Sequence, residues 1–161
     1  MKSISSVSQN AIEEKWYLVD AEGRRIGFIA SKVAEILQGK MDRLVRDYHT
    51  PQTHVVVINA SKIDFTPKRG MTKFYKNYSG FPGGLKFRSL DEMMKSHPER
   101  PIEIAVRGML PKTKQADKMM TNLKVYSGSE HAHEAQKPIA LDLKKLSAAP
   151  DSAKKVMNAL C

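Results

Sequence analysis

Cysteine is all but missing. The one thiol, Cys161, is the last residue of the 161, which excludes an intrachain disulfide and a thiolate metal cluster. A nucleophile at a frayed chain end would lack the rigid surroundings that catalysis needs, so Cys161 reads as incidental and the chain as suited to a reducing cytoplasm. Long apolar runs are also missing. Nothing approaches the roughly 18 residues needed to span a membrane, and the N-terminus carries no apolar secretory core, so a soluble intracellular protein without a membrane partner is expected.

The motifs of phosphate-binding and hydrolytic enzymes are lacking as well. The segment after the first apolar run, Ala21, Glu22, Gly23, Arg24, Arg25, Ile26, Gly27, provides neither GxGxxG nor GxxxxGK, and no GxSxG occurs. His133 and Glu134 begin like HExxH, but Lys137 stands where the second histidine belongs. His131 and His133 form an HxH pair with no identifiable third ligand, and imidazoles serve equally well against bases, phosphates or solvent. No metal and no cofactor are expected.

Acidic residues are scarce in one place. Residues 65–90 hold no Asp or Glu, yet contain Lys68, Arg69, Lys73, Lys76, Lys86 and Arg88 interleaved with Phe74, Tyr75, Tyr78 and Phe81. A solvated loop can share that composition. The whole chain favours a polyanion, however, with 27 Lys and Arg against 17 Asp and Glu, a formal charge of +10. At the centre of the stretch, Ser79, Gly80, Phe81, Pro82, Gly83 and Gly84 would let bare backbone approach a partner, because glycine has no Cβ. That partner reads as RNA.

What remains has α/β periodicity. Apolar runs at 16–19 and 55–58 lack alternation, as strands buried on both faces of a parallel sheet do. Between them Ile29, Val33, Ile36 and Leu37 share a helical face, with Gly39 at the C-terminal cap. Residues 73–78 pair as a further strand. Ser89 and Glu92 form a capping box for a short helix that Pro98 ends. Ile102, Ala105, Val106, Met109 and Leu110 mark a second helix between Pro101 and Pro111, leaving Ile104 off the stripe. A third, over 113–122, aligns Ala116, Met119, Met120 and Leu123, and a short strand follows at 124–126.

Met93, Met94, Met109, Met119 and Met120 are assigned to packing. Asp20 and Asn59, at strand ends, are assigned to turn backbone, and Gly23 and Gly27 to tight turning and close helix approach. Arg24 and Arg25 could face phosphate or water. Residues 1–13 read as a flexible leader and 144–161 as an extension, where Ala153, Val156, Met157 and Leu160 fit either a short docking helix or a disordered tail.

Several of these segments, in order, resemble one family. Lys15 to Ala21 with Gly23, Arg24, Ile26 and Gly27, then 55–60, 79–84, Arg107 to Pro111, and 123–128 with His131, His133, Ala135 and Gln136 are similar to ribosomal protein thirteen of the large subunit, in its bacterial form. The resemblance covers about residues 14–143. It implies an α/β fold, a three-layer single domain with a mostly parallel four-stranded sheet flanked by helices. The implied role is non-enzymatic: binding 23S-type rRNA of the large subunit, beside neighbouring large-subunit proteins, and supporting assembly and translation in the cytoplasm.

The family's basic glycine loop maps onto 73–88, its Gly-Met-Leu-Pro segment onto 108–111 followed by Lys112 and Lys114, and its histidine segment onto 129–136. Expected RNA contacts are therefore Arg24, Arg25, Lys68, Arg69, Lys73, Lys76, Tyr78, Ser79, Gly80, Phe81, Gly83, Gly84, Lys86, Arg88, Arg107, Lys112, Lys114, Lys118, His131 and His133. Phe28 replaces the family's frequent Arg, Ala132 its usual Pro, and residues 41–54 diverge, so no RNA contact is carried onto 41–54. Two alternatives stand beside this reading: a regulator that binds messenger RNA, and a nucleotide-dependent α/β enzyme.

Overall fold

The computed structural model describes residues 14–41, 51–65 and 73–143. The expectations for the leader 1–13, for Lys68 and Arg69, for most of the divergent linker, and for the extension 144–161 lie outside the described residues.

Strand β1, Lys15–Asp20, and strand β2, Thr53–Ile58, pair in parallel with Tyr17 opposite Val55 and Val19 opposite Val57. Parallel neighbours need a crossover, and helix α1, Ile26–Leu37, supplies it. Its six buried residues, Ile29, Ala30, Val33, Ala34, Ile36 and Leu37, form the stripe that the spacing predicts. Gly39 ends the helix at φ +69°: its amide donates to Ile36 (2.9 Å) and that of Lys40 to Glu35 (3.2 Å), the paired bonds of a Schellman cap.

Beyond β2 the chain makes a 3-10 turn, Ala60–Lys62, and then leaves the sheet. Strands β3, Phe74–Tyr78, and β4, Leu85–Ser89, form an antiparallel hairpin of their own. The strand expected at 73–78 therefore exists, but outside the main sheet. Three helices follow: α2, Leu90–Ser96, α3, Arg100–Met109, and α4, Lys114–Thr121. The chain then returns through β5, Leu123–Val125, one residue earlier than expected, and β6, Ile139–Leu141, which no sequence pattern announced. The sheet order is β5-β2-β1-β6 and all its pairings are parallel. The expected α/β class, with a four-stranded sheet flanked by helices, is thus found.

Tyr17, Val19, Val55 and Val57 point to one face and join the buried residues of α1, α3 and α4 in a single cluster that also takes in Leu143. Burying a side chain such as Val19, Val55 or Val57 fully contributes about 1.5–3 kcal/mol each, so this cluster is the main source of stability. In α3, Ile102 and Val106 are fully buried and Ile104 is 45% exposed, the phase that the stripe predicts. Met109 departs from it. It stands at the last turn of α3, exposed, because the cluster is closed there by Leu110 instead. Met93 and Met119 are buried and Met120 packs against the cluster.

The assignments of Gly27 and Asn59 change, while those of Gly23 and Asp20 hold. Gly27 sits in the first turn of α1, where an added Cβ would meet nothing within 4 Å, so no close approach explains it. Gly23, at φ +63°, does serve a tight turn. Asp20 accepts from the Glu22 amide at 3.1 Å, as a turn-forming Asx does, but it also accepts from the Asn59 side chain at 2.9 Å. That bond ties the carboxyl ends of β1 and β2 together.

Candidate nucleic-acid interface

In a parallel sheet a nucleotide would be sought beyond the carboxyl ends of the strands. Here the chain's own backbone fills that place. Asn59, buried and left-handed at φ 58°, donates its amide to Gly128 at 2.8 Å. Ala60 donates to Tyr126 at 3.1 Å and Ser61 to Ser127 at 3.2 Å, with the Ser61 hydroxyl on the same Ser127 carbonyl at 2.8 Å. Arg24 and Arg25 lead into α1 beside this corner; Arg25 is exposed and Arg24 is half-buried.

The hairpin is where basic and aromatic residues collect. Its base is fixed to the body in two ways. The Leu90 amide donates to Lys73 at 3.0 Å, and Ser89 caps α2 through the expected reciprocal pair with Glu92, both bonds at 3.2 Å. Buried Leu90 and Met93 then anchor α2. Beyond that base the hairpin stands in solvent. Phe74, Tyr78, Leu85 and Phe87 are each roughly half exposed or more, and Phe81 at the tip is 74% exposed.

The turn itself explains the glycines. The Gly84 amide donates to the Phe81 carbonyl at 2.9 Å, with Pro82 and Gly83 between them and Gly83 at φ +75°, the arrangement of a type II turn. Gly80 is also left-handed, at φ +91°. A Cβ on Gly84 would meet the Ser79 hydroxyl and lie 2.9 Å from the Phe81 carbonyl oxygen. Ser79 in turn donates its amide to Gly84 at 3.3 Å. The glycines are therefore demanded by the fold of the turn before any partner arrives.

Register divides the hairpin into two faces. Phe74, Lys76 and Tyr78 share one with Leu85 and Phe87; Tyr75 and Asn77 share the other with Lys86 and Arg88. Two cations lie over rings: the Lys73 ammonium is 5.1 Å from the Tyr75 centroid and that of Lys76 is 5.7 Å from Phe87. Tyr75 is half-buried with its hydroxyl enclosed. Lys73, Lys76, Lys86 and Arg88 are all exposed, with no carboxylate anywhere in the hairpin.

Arg107 in α3, Lys112 in the turn that follows, and Lys114 and Lys118 in α4 are all exposed. Arg107 reaches Asp117 at 3.3 Å, but both side chains are largely in water, and such a pair is weak and easily exchanged for another anion.

The histidines have a different setting. Trp16, on the sheet face opposite the helices, stacks on His54 with centroids 4.3 Å apart and planes 9° from parallel, and lies 5.0 Å from His133. Tyr126 flanks His131 and His133 at 6.4 and 6.0 Å, and the His133 amide donates to His131 Nδ1 at 3.2 Å. Both histidines are half-buried in this aromatic group, which packs the segment after β5 against the sheet. Glu14 accepts from Trp16 Nε1 at 3.0 Å and pairs with His54 at 3.1 Å. Burial nonetheless holds His54 below its ordinary value of 6.5; Lys124 and His133 add to the shift and only Glu14 opposes it. Sequence reading missed Trp16, His54 and Tyr126 as companions of the histidines, since contacts between distant segments bring them together. Among the described residues, no three His, Cys, Asp or Glu are grouped to hold a metal ion. No helix among them is long and apolar enough to cross a membrane.

Fold and site define the class: a parallel α/β protein whose sheet end is closed by its own backbone and whose basic and aromatic groups are displayed on an appended hairpin. The family model described as Ribosomal protein L13 matches residues 14–132. The chain is 44% identical over 144 residues to the large ribosomal subunit protein uL13 of Geobacillus kaustophilus (strain HTA426), covering 89% of this chain and 99% of the relative. The protein of the same name from Caldanaerobacter subterraneus subsp. tengcongensis is 46% identical over 132 residues, covering 82% and 92%. That of Microcystis aeruginosa is 44% identical over 137 residues, covering 85% and 91%. The chain belongs to the ribosomal protein L13 family, ribosomal structural proteins that are not enzymes. The messenger-RNA alternative gains no support from these relatives.

Proposed function

We propose that this protein is a structural constituent of the large ribosomal subunit that binds 23S-type rRNA through its hairpin and through Arg107, Lys112, Lys114 and Lys118, and so supports subunit assembly and translation. The observation that carries the reading is the hairpin. It is an extended structure with four exposed cations, no carboxylate, and rings left open to solvent. Neither stability of the core nor solubility asks for such a surface; a folded polyanion does.

The mechanism is displacement of counterions. Each Lys or Arg that meets a phosphate releases a condensed cation, and a compact RNA state is favoured because the protein binds it best. Replacing Lys73, Lys76, Lys86 and Arg88 with Gln removes up to four such contacts. The slope of log affinity against log salt for deproteinised large-subunit rRNA is then expected to flatten by up to about 3 units. An unchanged slope and affinity in the folded variant would remove the hairpin from the RNA interface. In cells, the protein is expected to sediment with the large subunit through a high-salt wash.

A further inference from the structure

We infer that the two faces of the hairpin take different parts of the RNA: Phe74, Tyr78, Leu85 and Phe87 form a platform for unpaired bases, and Lys86 and Arg88 on the reverse face hold phosphates. The inference rests on the rRNA-binding reading and adds a base-stacking site to it. Its ground is the register, in which Tyr78 lies opposite Leu85 and Lys76 opposite Phe87, so the apolar side chains fall on one side of a two-stranded sheet and Lys86 and Arg88 on the other.

An exposed apolar sheet face could equally take a protein, and the cation within it decides against that. Lys76 lies among these rings, its ammonium 5.7 Å from the Phe87 centroid. An apolar protein surface closing over the face would have to bury that charge without a partner, which is strongly unfavourable. A nucleotide carries both components. Its base offers a π-face to Phe74, Tyr78 or Phe87, while its phosphate lies within reach of the same ammonium. The rings are also set for contact, since a strand holds its side chains roughly perpendicular to the sheet. Phe81, in the turn beyond the last strand pair, is 74% exposed.

The test uses the full chain and deproteinised large-subunit rRNA. Tyr78→Leu with Phe87→Leu keeps apolar area and charge but removes the π-faces; affinity is expected to fall about tenfold or more at an unchanged salt slope. Tyr78→Phe with Phe87→Tyr keeps the rings and is expected to bind like the parent. Lys86→Gln with Arg88→Gln is expected to flatten the slope by up to about 2 units. Ultraviolet cross-linking followed by mass spectrometry is expected to join nucleobases to Phe74, Tyr78 or Phe87. Circular dichroism confirms that each variant is folded. If the folded Leu pair binds as tightly as the parent, or cross-links from these rings reach only other proteins in assembled subunits, the base platform is refuted while rRNA binding stands. If the parent itself fails to bind the rRNA, both readings fall.

Discussion

Gly83 and Gly84 allow the hairpin to be unfolded locally while the rest of the protein stays intact. At Gly83 the backbone is left-handed, φ +75°, and an alanine there costs roughly 1–2 kcal/mol. At Gly84 an alanine Cβ would lie 2.9 Å from the Phe81 carbonyl oxygen, closer than Cβ atoms come, so the carbonyl must move and the bond from the Gly84 amide is lost. That bond contributes about 1 kcal/mol. A two-stranded hairpin is marginal by itself, and a loss of about 1–2 kcal/mol raises its open-to-closed ratio roughly 5- to 30-fold. No hairpin residue belongs to the central cluster, and the global melting temperature is therefore expected to change little. The assay is amide hydrogen exchange. Protection across residues 74–89 is expected to drop about tenfold in Gly83→Ala and Gly84→Ala, with the amides of β1 and β2 unaffected. Gly83→Asn is expected to restore much of it, because Asn tolerates the left-handed region. The double Gly83→Val, Gly84→Val variant is expected to lose rRNA affinity at constant salt slope, since no charge changes. Unchanged hairpin protection in Gly84→Ala would refute the turn argument, and parental affinity in the valine variant would make residues 80–84 an ordinary loop.

Val106 and Ile104 are expected to differ. Asp at fully buried Val106 is expected to cost about 3–5 kcal/mol, a large share of a typical stability of roughly 5–15, whereas Asp at half-exposed Ile104 costs about 1 or less. Urea denaturation reads both, and equal midpoints would refute the helix phase. His54 is expected to make stability fall in mild acid. Above 6.5 it is neutral folded and unfolded; as pH drops below that value the unfolded chain takes the proton first, and stability declines until the pH passes the lower folded pKa. His54→Phe is expected to flatten the fall in melting temperature between about pH 7 and 5, and an identical profile in the variant would show that burial at His54 is not its cause.

Local chemistry made much of this protein legible from its sequence. Apolar runs without alternation announced β1 and β2, the stripe from Ile29 to Leu37 announced α1, and Ser89 with Glu92 announced the start of α2, because each depends on residues a few positions apart. The basic, acid-free composition of the hairpin was equally plain. What the sequence left open was set by contacts between distant segments. β6 is three residues long and pairs with Tyr17, Leu18 and Val19, far away in the sequence, and the separation of the hairpin from the main sheet follows from β3 pairing with β4 rather than with β1 or β2. Met109 carries the right period for burial, but its exposure was decided by Leu110 closing the cluster. The stacking of Trp16 on His54, and the placing of Phe74, Tyr78, Leu85 and Phe87 on one hairpin face with Lys86 and Arg88 on the other, are consequences of strand register. Register is a property of two segments at once, fixed by the burial and bonding of both, and neither segment carries it alone.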